Sequence, residues 1–260
     1  MNALPGPHWP GSDEPGTIGA WCSTRAGGIS QGPYASLNLG LSVGDDPAAV
    51  AENRRRFAAQ TGCPVVWLRQ VHGSRVVRVS AADAVPGAPV HEADAAWTTE
   101  TGLALAIQVA DCLPVLLALP DGGAVAAAHA GWRGLASGVL QRTVDAVCQG
   151  VGRDPGELRA WLGPCIGPAA FEVGAEVLEA FGQAADAADA ARFKWRPRAD
   201  GAPRWLADLP ALARDALRAS GVRQVGGGDW CTVSDPSRFF SHRRDRLSGR
   251  FGAAVWRRRG

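Results

Sequence analysis

The sequence predicts a single domain of mixed α and β structure, and two observations support that prediction. Short apolar segments of strand length alternate along the chain with segments that carry helix start and stop signals. The chain also has 260 residues, of which 46% are hydrophobic and 20% charged, and this is enough to bury one sizeable core. Neither an internal repeat nor a linker composition divides the chain, so we expect one domain or at most two closely joined halves.

Apolar runs predict six strands, at residues 17–23, 65–71, 75–80, 103–109, 113–119 and 124–128. The second and third are expected to flank His72, Gly73 and Ser74 in a hairpin-like connection. The last three are almost continuously apolar, which is typical of strands in a buried sheet.

Helix-capping residues and the helical spacing of apolar residues predict four helices, at about residues 47–61, 135–149, 173–181 and 209–220. The first has Asp46 as its N-cap, Pro47 at its first position and Gly62 after its end. Gly150 and Gly221 are expected to end the second and the fourth. The Ala/Asp-rich residues 183–191 are compatible with an exposed helix, a mobile lid or plain surface, and weak periodicity favours plain surface.

The charge balance excludes several classes of partner. The chain carries 27 basic and 25 acidic residues, a net charge of +2, so no long-range field favours nucleic acid or an anionic membrane. A phosphate group on a small molecule stays compatible with this balance. Polar residues interrupt the most apolar stretch, at 103–119, and no membrane span is predicted. No obligate protein partner is indicated.

The cysteines and the N-terminal residues predict a cytoplasmic location. The six cysteines form no CxxC pair and resemble reduced thiols of a cytosolic protein. The first ten residues lack both the basic and the apolar region of a signal peptide.

Three residues are candidates for chemistry because each lies where an apolar strand gives way to a turn: His72, Cys112 and His129. Two imidazoles and one thiolate suit zinc, and three protein ligands leave a fourth position open, as in catalytic zinc sites. Five histidines in all are too few for a blue-copper oxidase with a trinuclear cluster. The alternative is that the cysteine fills the core and that backbone groups satisfy the histidines.

The loop after His129 could bind an anion. Gly131 and Gly134 flank Trp132 and Arg133 just before a predicted helix, so backbone N–H groups and a guanidinium could converge on a phosphate. The alternative is a tight strand-to-helix turn in which Arg133 pairs with a carboxylate. The glycine spacing and the missing lysine exclude a Walker loop.

An ordered set of motifs resembles one known family over residues 17–256. The motifs are Ser23-Thr24-Arg25, Tyr34-Ala35-Ser36-Leu37-Asn38-Leu39, Asn53-Arg54, Gln70-Val71-His72-Gly73, Ala110-Asp111-Cys112-Leu113-Pro114, His129-Ala130-Gly131-Trp132-Arg133-Gly134, Ile166-Gly167-Pro168, Phe171-Glu172-Val173-Gly174 and Arg243-Arg244-Asp245. In this order they are similar to the laccase-domain family, the YfiH-like polyphenol oxidase or purine nucleoside phosphorylase proteins.

The resemblance implies an α/β/β/α-type sandwich, with an N-terminal arm at residues 1–16, a catalytic domain at 17–256 and a basic tail at 257–260. It also implies a metal site made by His72, Cys112 and His129. Relatives are associated with phosphorolysis of purine nucleosides, adenosine deamination, 5′-methylthioadenosine cleavage, and editing of peptidoglycan precursors. His242 replaces the tyrosine usual in the family, either as a polar substitute lining the cleft or as a fourth metal ligand.

These chemistries suggest roles for further residues. In deamination, Asp111 or Glu172 would shuttle the proton to departing ammonia. In phosphorolysis, Arg133 and Arg25 would help the metal hold phosphate near a sugar with oxocarbenium character. The amides of Asn38 and Gln70 would recognise ribose hydroxyls or a purine edge, or else cap turns of the backbone.

We therefore expect a zinc-dependent enzyme that phosphorolyses adenosine, inosine or 5′-methylthioadenosine, with adenosine deamination as a further activity; its partners are a small purine nucleoside and phosphate. One alternative is an amidase editing peptidoglycan precursors, in which Cys112 attacks, His129 is its imidazolium partner and His72 orients it. Another is a copper-dependent polyphenol oxidase, and a third is a binding module without catalysis.

Overall fold

The computed structural model of the protein describes residues 16–186 and 188–259. The predicted N-terminal arm, except for its last residue, and residue 260 of the predicted tail lie outside this part. The described residues form thirteen strands: β1 (Ile18–Cys22), β2 (Val65–Trp67), β3 (Val76–Arg78), β4 (Ala95–Thr98), β5 (Ala104–Val109), β6 (Leu113–Ala118), β7 (Val125–Ala130), β8 (Arg159–Leu162), β9 (Glu172–Val173), β10 (Phe193–Trp195), β11 (Trp205–Ala207), β12 (Gln224–Gly227) and β13 (Phe251–Arg257). They also form six α-helices: α1 (Pro47–Thr61), α2 (Trp132–Ala136), α3 (Val139–Val151), α4 (Ala175–Ala180), α5 (Leu209–Ala219) and α6 (His242–Asp245).

The strands assemble into two large sheets and one small one. The four-stranded sheet has the order β1-β13-β5-β2, and the six-stranded sheet has the order β12-β8-β6-β7-β4-β3. Both are mixed, since β2 runs parallel to β5 and β3 runs parallel to β4, whereas the central pairs are antiparallel. A three-stranded antiparallel sheet, β10-β11-β9, lies apart from them.

The two large sheets stack face to face between helices. One buried cluster fills the space between them, with Ile107 of β5 on one side and Leu116 of β6 on the other. A second cluster packs the opposite face of the six-stranded sheet against α3 and α5, and a third packs Phe57 of α1 against the outer face of the four-stranded sheet. The predicted α/β/β/α arrangement is therefore confirmed.

This stacking explains why the β6 sequence is apolar throughout. Leu113, Val115 and Leu117 face the helices, while Leu116 and Ala118 face the other sheet. A strand covered on both faces has no polar side, so alternation is absent and the run is continuous.

Two of the predicted helices are confirmed with their signals. The carboxylate of Asp46 accepts the Ala48 N–H at the start of α1, and Gly62 follows its end in the left-handed conformation. Asp208 caps α5 in the same way by accepting the Ala211 N–H.

The predicted helix from Leu135 to Gly150 is wrong in both its continuity and its end. The helix is interrupted between α2 and α3, where Gly138 has φ +83°, and α3 then continues to Val151. Gly150 lies inside α3, where it permits contact with a neighbouring strand: a Cβ placed on it would lie 2.1 Å from the ring of Trp97.

The predicted hairpin around His72 is also wrong. β2 pairs with β5 in one sheet and β3 pairs with β4 in the other, so residues 68–75 cross between the sheets. Apolar alternation predicts a strand but not the strand with which it pairs.

Several other segments differ from expectation. The helix expected at 173–181 forms only at α4, after the short strand β9. Seven strands were not predicted: β4, β8, β9, β10, β11, β12 and β13. The described residues of 183–191 form no helix and are mostly exposed. Within the described part of the chain, no helix combines the length and the apolar character needed to cross a membrane.

The close contact at Gly150 predicts the sign of a stability change. In most helix interiors Gly→Ala stabilises by roughly 1 kcal/mol, whereas overpacking a core costs about 1–3 kcal/mol. Because the ring of Trp97 is buried, we expect Gly150→Ala to lower the free energy of unfolding, as measured by urea denaturation. Gln149→Ala, at an exposed position of the same helix, is the control and should change it by less than about 0.5 kcal/mol. A Gly150→Ala protein more stable than the wild type would contradict this packing.

Candidate metal centre

The structure brings His72, Cys112 and His129 together. His72 lies in the crossover between β2 and β3, Cys112 lies between β5 and β6, and His129 is in β7. One ligand atom from each of the three lies within 4.8 Å of those of the other two, so the group could hold a metal ion. The rings of His72 and His129 meet edge to face, with centroids 4.8 Å apart.

A buried carboxylate, Asp94, positions both histidines. Its Oδ1 lies 2.8 Å from His129 Nδ1 and also accepts the backbone N–H of His72 at 2.8 Å. Its Oδ2 accepts the N–H groups of Val71 and Gly73. Since a carboxylate only accepts, the Nδ1 of His129 carries a proton, which leaves Nε2 as the ring nitrogen available to a metal.

Sequence reasoning missed Asp94. The available signal was an acidic residue at the start of the apolar run Ala93 to Trp97, immediately before β4. Burial alone would raise the pKa of Asp94, but the hydrogen bonds from His129 and Gly73 hold that pKa below its usual value. The residue is therefore a charged acceptor in the folded protein.

The surroundings of Cys112 favour its thiolate form. Burial by itself would raise the pKa of the thiol, but the charge of His129 and hydrogen bonds from His129 and His72 lower that pKa to about 6. The thiolate is both the metal-binding and the nucleophilic form of cysteine.

Two glycines leave room for this group. A Cβ on Gly131 would lie 2.9 Å from the Sγ of Cys112 and 3.2 Å from the Cδ2 of His72. A Cβ on Gly134 would lie 2.7 Å from the carbonyl oxygen of Gly73. These glycines let the loop approach the donor atoms closely, in accord with the tight-turn interpretation of the sequence.

The donor set fits a single transition-metal ion. Two imidazoles and a thiolate converge, and a carboxylate orients one imidazole from behind, as is usual for histidine ligands. His242 lines the same cavity but does not belong to the three-residue group within the described part of the chain.

The group lies in the wall of a cavity of about 750 Å³. Five of its lining residues are arginines: Arg54, Arg69, Arg133, Arg243 and Arg250. Among the described residues that line it, Asp111 is the one carboxylate. The cavity therefore favours an anionic ligand.

Arg133 and Asp111 both line the cavity, but only Asp111 has its charged group engaged in hydrogen bonds within the protein. The Arg133 side chain is exposed, lies 4.3 Å over the ring of Trp132, and has no carboxylate partner among the described residues, so the expected alternative of an ion pair is not seen. Both carboxylate oxygens of Asp111 are engaged, with the hydroxyl of Thr232 and the backbone N–H of Arg243, each at 2.6 Å. Asp111 thus connects the loop that carries Thr232 and the helix α6 to the centre.

The remaining predicted residues make structural contacts. Gln70 lines the cavity, but its amide pairs with the backbone of Gln108 at 2.8 and 3.0 Å. Asn38 is buried away from the cavity lining and bonds Gly40 and Asp45.

The structure likewise does not bring Arg25 or Glu172 into the cavity lining. Arg25 donates to the carbonyls of Ala35 and Pro236, and Glu172 pairs with Arg198 at 2.6 Å. Arg25 was expected to hold phosphate and Glu172 to transfer a proton, but in the structure both make contacts within the protein outside the cavity lining.

Comparison with known proteins adds a family match. The family model described as "Multi-copper polyphenol oxidoreductase laccase" matches residues 19–258. The purine nucleoside phosphorylase of Pseudomonas aeruginosa is 51% identical over 256 residues, which cover 98% of this chain and 99% of that protein. The purine nucleoside phosphorylase YfiH of Escherichia coli is 45% identical over 260 residues, with the same shares of 98% and 99%.

Solved structures share the whole fold. A crystal structure of a Neisseria meningitidis protein of the DUF152 family aligns with a TM-score of 0.85 and 43% identity, and covers 100% of both chains. YlmD from Geobacillus stearothermophilus aligns with a TM-score of 0.87 and 33% identity, over 100% of this chain and 98% of that one.

The contacts of Asp94 predict a loss of metal affinity in Asp94→Asn. An amide places N–H groups where the backbone N–H groups now donate, and it orients His129 less firmly. We expect metal affinity, measured by chelator competition with metal quantification, to fall by about 10-fold to 100-fold. Asp83→Asn is the matched control, since Asp83 contacts His91 at 2.6 Å in a partly exposed pair outside the cavity lining, and it should leave the affinity unchanged. Unchanged affinity in a folded Asp94→Asn protein would refute the positioning role.

Proposed function

The chain belongs to the multi-copper polyphenol oxidoreductase laccase family, and from this premise we propose that it is a zinc-dependent purine nucleoside phosphorylase. The observation that carries the proposal is that two imidazoles and a thiolate meet in the wall of one cavity. The charged side chains that line this cavity are mainly cationic. Relatives covering nearly the whole chain bear the name purine nucleoside phosphorylase, which supports the same substrate class here.

The donor set supports zinc over copper oxidation chemistry. One thiolate and two imidazoles suit the borderline-soft zinc ion, and three protein ligands leave a position for a reactant. A trinuclear copper cluster needs more imidazoles than the five histidines of this chain supply. His72, Cys112 and His129 would hold the zinc, and the bound ion would supply a Lewis acid for an anionic oxygen.

Phosphorolysis joins an oxygen of orthophosphate to C1′ of the ribose while the bond from C1′ to the purine nitrogen breaks. The electron pair of that bond passes to the purine, which takes up a proton. The guanidinium of Arg133, exposed at the cavity, would hold the phosphate beside the sugar as positive charge develops on it. The apolar side chains of Ile166, Phe171 and Leu209 offer the purine a dry surface in the same cavity.

The geometry favours phosphorolysis over deamination. Deamination of adenine needs a carboxylate that moves a proton. Among the described lining residues only Asp111 is a carboxylate, and its two oxygens already accept hydrogen bonds. The substrates we propose are therefore adenosine, inosine and 5′-methylthioadenosine with orthophosphate, as cytoplasmic small molecules.

One observation favours a second candidate, a thiol-dependent amidase. Asp94, His129 and Cys112 form a series in which a carboxylate orients an imidazole beside a thiolate, as in cysteine hydrolases. In that case Cys112 would attack an amide carbonyl, such as one in a peptidoglycan precursor, without a metal.

Product analysis tests the proposal. Purified protein of known zinc content, incubated with adenosine, is expected to release adenine and ribose 1-phosphate, and only when orthophosphate is present. Chelation should abolish the reaction and zinc should restore it. Cys112→Ala should lower zinc affinity and activity by about 100-fold or more, because the thiolate is a ligand. Cys63→Ala is the control, since Cys63 is a partly exposed thiol outside the cavity lining.

Two results would contradict the proposal. Inosine as the main product from adenosine would indicate deamination. Metal-free protein that hydrolyses an amide and loses this activity with iodoacetamide would establish the thiol mechanism instead.

A further inference from the structure

Two arginines in the cavity wall are held beside one another by a single residue. The Arg54 Nε donates to the carbonyl of Leu39 at 2.9 Å, and the N–H of Leu39 donates to the carbonyl of Arg250, also at 2.9 Å. Asn38 fixes the same arrangement, because its Oδ1 accepts the backbone N–H of Arg250. Leu39 thus contacts two arginines that are far apart in sequence and that both line the cavity.

Neither arginine has a carboxylate partner in the described part of the chain. The Arg54 guanidinium lies 4.3 Å over the ring of Trp67 and bonds only the carbonyl of Leu39. The Arg250 guanidinium bonds only the carbonyls of Ser248 and Gly249. By contrast, Arg55, Arg153 and Arg192 pair with carboxylates at the protein surface.

Both side chains are largely removed from water. Burial lowers the pKa of Arg54 to about 10 and also lowers the pKa of Arg250. A guanidinium withdrawn from water is unfavourable unless anions offset its charge. The charges of Cys112 and Asp111 act on Arg250, but no carboxylate pairs with either arginine among the described residues, so a bound anion would stabilise both. Both residues line the cavity, and the planar fork of a guanidinium can bind two oxygens of one anion.

We propose that Arg54 and Arg250 together form a subsite for a phosphoryl group in the cavity that Arg133 also lines. The occupant is either orthophosphate or the 5′-phosphate of a purine nucleotide, which share the same dianionic oxygens. The assignment of this group to a substrate rests on the proposed function, whereas the binding of the anion does not.

Calorimetric titration of the zinc-loaded protein tests the subsite without turnover. Orthophosphate, adenosine 5′-monophosphate and adenosine are titrated separately into the wild type, Arg54→Gln and Arg250→Gln. We expect each substitution to weaken the binding of at least one phosphorylated ligand by about tenfold or more, and to leave adenosine affinity within about twofold. Arg55→Gln is the matched control, because it removes an exposed guanidinium one residue away, and it should change nothing.

The two sources give different results. If orthophosphate binding is weakened, the subsite holds the free anion, and if only the nucleotide is affected, it holds a 5′-phosphate. Should Arg54→Gln not fold, Arg54→Lys keeps the charge but loses the fork, and it is expected to weaken the same ligand.

The subsite is refuted if the wild type binds neither phosphorylated ligand, or if folded, zinc-containing variants bind both as the wild type does. Release of ribose 1-phosphate together with such unchanged binding would overturn the subsite and leave the proposed function standing. Weakened anion binding in the variants, without any formation of ribose 1-phosphate by the wild type, would support the subsite and overturn the proposed function.

Discussion

The carboxylate of Asp94 is the interaction on which the candidate metal centre depends. It is fully buried, and it accepts three backbone N–H groups from the His72 loop and the ring N–H of His129. A buried charge is tolerated only when hydrogen bonds satisfy it, so the loop and the ring must both stay in place. One anion therefore fixes the position of two nitrogen donors that come from different parts of the chain.

The stacked sheets explain why these parts meet. His129 belongs to β7 of the six-stranded sheet, while Cys112 lies in the connection from β5 of the four-stranded sheet to β6 of the six-stranded sheet. The crossover that carries His72 also passes from one sheet to the other. The centre therefore forms where chain segments cross between the layers, and a rigid core on both sides supports it.

The mixed α and β class and the three donor residues could be predicted because both leave local signals, whereas the layered arrangement was implied by the family motifs. Apolar runs mark buried strands such as β6, and the donor residues lie at strand ends within specific motifs. The pairing of strands leaves no such signal. The sequence of β2 and β3 is typical of a hairpin, but in the structure each of them pairs with a different strand. The strand β13 was missed because its Gly and Ala residues resemble a loop more than a strand.

The same limit applies to the polar residues of the site. The amides of Asn38 and Gln70 are chemically suited to a nucleoside, but residue type does not reveal that backbone groups already occupy them. Asp94 and Arg250 lacked any motif with an assigned role, and only the fold shows that one contacts His129 and the other lines the cavity. The sequence therefore identifies the candidate metal ligands, but it does not show which groups hydrogen-bond to the polar side chains around them.

X-ray absorption spectroscopy at the zinc edge, on protein loaded with one equivalent of zinc, tests the central claim most directly. The account predicts one sulfur scatterer at about 2.3 Å and two imidazole nitrogens at about 2.0 Å, with the sulfur absent in a Cys112→Ala protein. A zinc shell with no sulfur in the wild type would contradict it.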